Sequence, residues 1–135
     1  MSGRGRPYRT VRLHGFEILI GRGDAENDHL TFEVAEPDDI WMHVSGSAGS
    51  HVVVRNPDGL AELPPDVLEA AAQLAGWYSK SRNARRVEVH VCWARDVGKP
   101  RGFAPGKVSL SRWWPLRVQP KRLDSDDADD ATEIG

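Results

Sequence analysis

The chain has 135 residues, 39% of them hydrophobic and 28% charged, enough apolar material for the core of one domain and too little length for two. No apolar run approaches the roughly 20 residues that span a bilayer, the basic N-terminus leads into no apolar stretch, and a lone cysteine, Cys92, excludes an internal disulfide and a four-thiolate zinc site, so a cytoplasmic protein without membrane contact is expected. The net charge of −2 conceals an asymmetry: all 18 Lys and Arg lie in residues 1–123 and six of the 20 acidic residues follow them, which leaves the body at +4 and the end acidic.

Residues 1–7 hold Gly3, Gly5, Pro7, Arg4 and Arg6, the composition of a flexible basic arm whose arginines, with Arg9, could touch phosphates. Val11 and Leu13, then Phe16, Ile18 and Ile20, alternate at period two across His14 and Gly15, which predicts a hairpin. Residues 21–24 (GRGD) predict a turn in which Asp24 caps a helix from Ala25 to about Ala35, although Leu30, Phe32 and Val34 also alternate as a strand would. Pro37, Asp38 and Asp39 end that element. Residues 40–44 and 51–54 then predict two strands around a loop of small residues, 45–50. Pro64 and Pro65 open a helix that places Val67, Leu68, Ala71, Ala72, Leu74, Ala75 and Tyr78 on one face, suited to lying against the sheet. Val87, Val89 and Val91 alternate as a strand with Cys92 and Trp93 at its end. Residues 97–106 follow as a basic loop rich in Pro and Gly, and residues 108–110 as the last strand. The pair Trp113 and Trp114 stays open between core and surface. Residues 121–135 predict a disordered acidic tail. Strand runs broken by two main helices predict a single α+β domain over residues 8–120, with a mixed, mostly antiparallel sheet.

Three groups of residues could carry chemistry. Gly21 and Gly23 permit left-handed backbone and, with Arg22 and a following helix, could form an anion nest, but Asp24, Glu26 and Asp28 crowd the same turn and oppose one. Alternation along a strand puts Trp41 and His43 on one sheet face, where they are either a stacking surface for a base or a core tryptophan beside a hydrogen-bonded histidine. His43, His51 and Asp39 could also be imagined as a metal site, though nothing in their spacing demands one. A Ser50, His51, Asp39 triad is opposed by the opposite projection of adjacent strand residues. The third group is basic: Lys80, Arg82, Arg85 and Arg86 after the second helix, and Lys99, Arg101 and Lys107 on the loop, each able to sit on a phosphate backbone.

Residues 20–32 (IGRGDAENDHLTF), 39–43 (DIWMH) and 49–53 (GSHVV) together resemble the NFACT-R family, and 75–82, 97–102 (VGKPRG) and 104–108 (APGKV) agree with its second helix, basic loop and last strand. That family is the RNA-binding part of factors that mark stalled large ribosomal subunits and recruit tRNA for C-terminal tailing. The resemblance, over about residues 8–118, implies a module that binds tRNA or ribosomal RNA, with the large ribosomal subunit as a further candidate partner and with no catalytic residues, cofactor or metal. It implies an RNA-binding face of Arg22, Asn27, Asp28, Asp39, Trp41, His43, Ser50, His51, Lys99 and Lys107, to which the basic residues Lys80, Arg82 and Arg101 are added. Two other readings stand beside it: an RNA-processing or RNA-modifying enzyme using Asp39, His43 and His51, and a protein adaptor for such an enzyme or for the ribosome.

Overall fold

A computed structural model describes residues 8–123 and 132–134. The predicted arm, residues 1–7, and the acidic stretch 124–131 lie outside the described residues. Strands β1 (Tyr8–Leu13) and β2 (Phe16–Gly21) form the expected hairpin, closed by His14 and Gly15 at φ 51° and 86°. A glycine in the second of these left-handed positions fits a two-residue turn. Helix α1 (Asp24–His29) runs directly into a π-helical turn, Leu30–Val34, so the helical reading of this segment holds. Its N-cap is Gly23, without a side-chain bond, and Asp24 sits inside the first turn. The expected Asp24 cap is thus displaced by one residue.

Strands β3 (Ile40–Val44) and β4 (Val52–Val54) follow, then helix α2 (Pro65–Trp77) and strand β5 (Val87–Trp93). Residues 97–110 depart from expectation. β6 (Val97–Gly98) and β7 (Ser109–Leu110) pair with each other as a separate ribbon, and the main sheet continues instead through β8 (Trp114–Val118). Pro115 hides β8 from a sequence reading, but β8 pairs with β5 on one side only among the described residues, and an edge tolerates a residue with no N–H to donate. A short β9 (Thr132–Ile134) runs parallel to β1, giving the order β8-β5-β3-β4-β2-β1-β9; the other pairings are antiparallel.

The two sheet faces are covered differently. On one, Val67, Ala71, Leu74 and Ala75 of α2 pack on Ile18, Ile20, Ile40, Met42, Val44, Val52, Val54, Val89 and Val91. Each large aliphatic side chain buried there contributes about 1.5–3 kcal/mol. On the other, Leu19, Trp41, Val53 and Cys92 are covered by Leu30 and Val34 of the helical segment and by Val97, Val108 and Leu110 from the ribbon and its loop. Burial pushes the Cys92 thiol up to about 12, with Asp96 adding to the effect. Trp41 is 1% exposed, so its indole offers no face to a base and the core alternative holds for this residue. Strand alternation correctly set its side of the sheet; the covering layer, built from segments distant in sequence, decided its exposure. Trp41→Ala is therefore expected to lower the unfolding free energy by about 3–5 kcal/mol, the range for removing a buried aromatic ring, in urea titrations followed by circular dichroism.

Candidate nucleic-acid interface

Under the second covering layer lies a chain of buried hydrogen bonds. The Trp41 indole N–H donates to the Thr31 hydroxyl at 3.0 Å, and that hydroxyl lies 2.7 Å from His51 Nδ1. His51 Nε2 lies 3.2 Å from the Gly106 carbonyl oxygen, and because a carbonyl only accepts, Nε2 carries a proton; in the neutral ring Nδ1 then accepts from Thr31. Burial, then the nearby His43, push the His51 imidazole down to about 4, against the smaller opposing influence of Gly106, Asp28 and Asn27; the neutral ring is the one this geometry accommodates. Thr31 joins two predicted residues and was not itself anticipated, since a helical threonine carries no sequence signal that its hydroxyl points inward.

Asn27 ties α1 to the start of β4. Its buried Oδ1 accepts the His51 backbone N–H at 3.0 Å and its Nδ2 donates to the Gly49 carbonyl at 3.4 Å. A Cβ at Gly21 would collide with that same Oδ1, so Gly21 is required by close approach. Gly21 and Gly23 both lack positive φ, Gly23 being fully extended, and the left-handed anion nest allowed for in the sequence is not formed. Asp28 and Lys99 fasten the basic loop. Asp28 Oδ1 accepts the Gly106 N–H at 3.0 Å, and the Lys99 ammonium reaches Asp28 Oδ2 at 3.1 Å and donates to the carbonyls of Ala104 and Lys107 at 2.7 and 2.6 Å. An ammonium has three donors, and these contacts occupy them, so Lys99 clasps its own loop.

Asp39 belongs elsewhere. Buried, it accepts the backbone N–H groups of Asn56 at 2.7 Å and Glu36 at 2.9 Å and pairs with Arg55 at 2.8 Å. The cleft it lines, with Pro37, Asn56 and Pro57, is separate from the one lined by His43. The expected convergence of Asp39, His43 and His51 as acid and base groups is therefore not formed, and among the described residues no group of three His, Cys, Asp or Glu is placed to hold a metal. Ser50 and His51 bond different partners and not each other: the Ser50 hydroxyl donates to the Gly21 carbonyl at 2.6 Å, while the His51 ring meets Thr31 and Gly106.

These ties shape the surface around loop 45–50. Lys80 and Ser50 donate their backbone N–H groups to the carbonyls of Ala48 and Tyr78, which closes the loop onto the end of α2. On one side is a cleft of about 330 Å³ that includes Arg22, Asn27, Ser50, Tyr78, Lys80 and Arg82. On the other is one of about 550 Å³ that includes His43, Ser47, His90 and Lys107; Asp24, Ala48 and Gly49 belong to both. Arg22, Lys80, Arg82 and Lys107 are exposed, and Arg82 is held over the Trp77 ring at 4.8 Å. Arg101 is exposed on the far part of the basic loop and lines neither cleft. His43 is half-buried, 5.5 Å from the His51 ring and 6.1 Å from Trp41 between centroids. Burial lowers its pKa, with His90 lowering it further, while the backbone of Gly49 and Val44 acts in the opposite direction. Of the anticipated face, then, Arg22, His43, Lys80, Arg82 and Lys107 line the double cleft, and Asn27, Asp28, Ser50, His51 and Lys99 use their polar atoms to build it.

Residues 6–112 match the family model described as the NFACT protein RNA binding domain. The chain is 37% identical over 119 residues to the Rqc2 homolog RqcH of Streptococcus suis, covering 87% of this chain and 21% of that protein. It is 36% identical over 106 residues to RqcH of Bacillus subtilis, 78% of this chain and 18% of that one. Ribosome quality control complex subunit 2 of Saccharomyces cerevisiae is 29% identical over 117 residues, 87% of this chain and 9% of that protein. The chain thus spans about a fifth or less of the length of these curated relatives. The solved C-terminal part of the fibronectin/fibrinogen-binding protein of Streptococcus suis superposes with a TM-score of 0.81 at 33% identity, over 94% of this chain and 50% of that one.

Two outcomes are expected from this geometry. An unfolded imidazole takes its proton near pH 6.5 and His51 only near 4, so the stability His51 lends is complete above 6.5 and is lost as pH falls to about 4. The loss should reach about 3 kcal/mol in urea unfolding at pH 4 against pH 7, and His51→Asn should be less stable at pH 7 with a shallower pH dependence. Lys99→Met should leave the sheet intact and open the basic loop, accelerating amide hydrogen exchange at Gly106 relative to Val53.

Proposed function

The chain belongs to the NFACT RNA-binding domain family, and on that premise we propose that it binds structured RNA, tRNA or a ribosomal RNA surface, across the double cleft around loop 45–50. The observation that carries this reading is the placement of Arg22, Lys80, Arg82 and Lys107, exposed on three separate segments and converging on two joined clefts in which Asp24 is the only carboxylate among the described residues. Phosphates are met by these four cations and by polar groups of the Ser- and Gly-rich loop, whose small side chains allow a nucleic-acid backbone to come close. His43, half-buried in the wall, contributes a ring nitrogen to hydrogen bonding and not a stacking face, because Trp41 behind it is enclosed. The names of the relatives point to ribosome quality control as the setting, and this reading places the chain in the cytoplasm. No helix among the described residues is long and apolar enough to cross a membrane.

Fluorescence anisotropy with labelled tRNA and with ribosomal RNA fragments tests this. If about four phosphates are neutralised, log K falls against log salt with a slope near −3. Lys80→Ala and Lys107→Ala should each weaken binding of both RNAs similarly and make the slope shallower by about one, with unfolding midpoints unchanged. A slope near zero, or variants that bind like the parent chain, overturns the reading.

A further inference from the structure

The sheet face that carries the double cleft does not end at it. His43 of β3 and His90 of β5 are direct cross-strand partners, and His90 also forms part of the cleft wall. Against His90 lies Trp113, from the connection between β7 and β8, with ring centroids 4.0 Å apart and planes at 26°. The indole is 46% exposed and belongs to neither hydrophobic cluster of the domain. One side of the ring is thus backed by imidazole, and nearly half of the residue is open to solvent. Core packing accounts for Trp41 and gives no account of Trp113. The preceding Arg112 is exposed and has no ion pair among the described residues.

From this arrangement we infer that Trp113, stiffened by His90, is a stacking platform for an unpaired nucleobase of the same RNA whose phosphates occupy the cleft. The inference rests on the RNA-binding reading above. An exposed indole backed by a second ring is flat, has few rotamers to lose and accepts any base on its open face. Adjacent cations supply what stacking lacks: Lys107 across the cleft and Arg112 next to the indole can hold the phosphates flanking a base that leaves its own stack. The domain then distinguishes RNA with a splayed base from a continuous duplex, which phosphate contacts alone cannot do.

The test compares a 12-nucleotide single strand and a hairpin with an unpaired loop against a blunt duplex, each labelled and titrated with the full chain by anisotropy. Trp113→Ala should weaken the single strand and the loop hairpin by roughly 5- to 100-fold, the range found for removing one stacked base partner, and leave the duplex unchanged. Trp113→Phe should recover part of the loss, and because Trp113 is at the surface both variants should unfold at the parental midpoint. If Trp113→Ala binds all three RNAs like the parent while Lys80→Ala weakens them, the platform is overturned and the cationic cleft stands. Equal weakening of single strand and duplex also overturns it, since the residue would then be acting on the backbone. If the parent chain binds none of the three, both readings fall.

Discussion

The buried imidazole of His51 is the point on which this molecule depends. Its ring joins two segments distant in sequence, the π-helical turn through Thr31 and the basic loop through Gly106, while the backbone N–H of the same residue is held by Asn27 of the adjoining helix α1. Each bond satisfies a polar group that would otherwise be enclosed without water, at a cost of about 1–3 kcal/mol per orphaned group. In the neutral ring that burial favours, Nε2 donates to Gly106 while Nδ1 accepts from Thr31. Orienting that ring therefore orients the loops, and the loops form the cleft.

The polar residues around the cleft divide into those that build it and those that reach its surface. Asp28 and Lys99 carry full charges near a candidate phosphate site, yet their 3.1 Å pair and the carbonyls around Lys99 consume those charges within the fold. Arg22, Lys80, Arg82 and Lys107 reach the surface from the β2–α1 turn, the end of α2 and the basic loop. Their convergence depends on the Asn27 and Ser50 bonds, which bring loop 45–50 up between them.

Much of the architecture was legible because its signals are local. The β-branched run of β4, the period-two valines of β5, the His14-Gly15 turn and the Pro-led amphipathic α2 are fixed by neighbours a few residues away, and they appear where the sequence places them. What escaped was non-local. β8 contains Pro115 and four of its five residues face solvent at least partly, so neither propensity nor alternation marks it. Trp41 and His43 were correctly assigned to one face, but the ribbon and π-helical turn that enclose the indole come from residues 30–34 and 97–110. Lys99 reads as a free cation until the fold brings Asp28 to it. The resemblance to the family was legible in the sequence; which of the polar residues are struts and which are exposed was not, since both kinds cluster around the same loops.

Cys92 has a practical consequence. As the sole thiol of the chain, enclosed beside Trp41 and held protonated up to about pH 12, it is a very poor nucleophile at neutral pH. A cysteine introduced on the rim of the cleft would react alone with a maleimide fluorophore or a spin label, without first removing the native one, so distances from bound RNA to chosen positions become accessible in an otherwise unaltered chain.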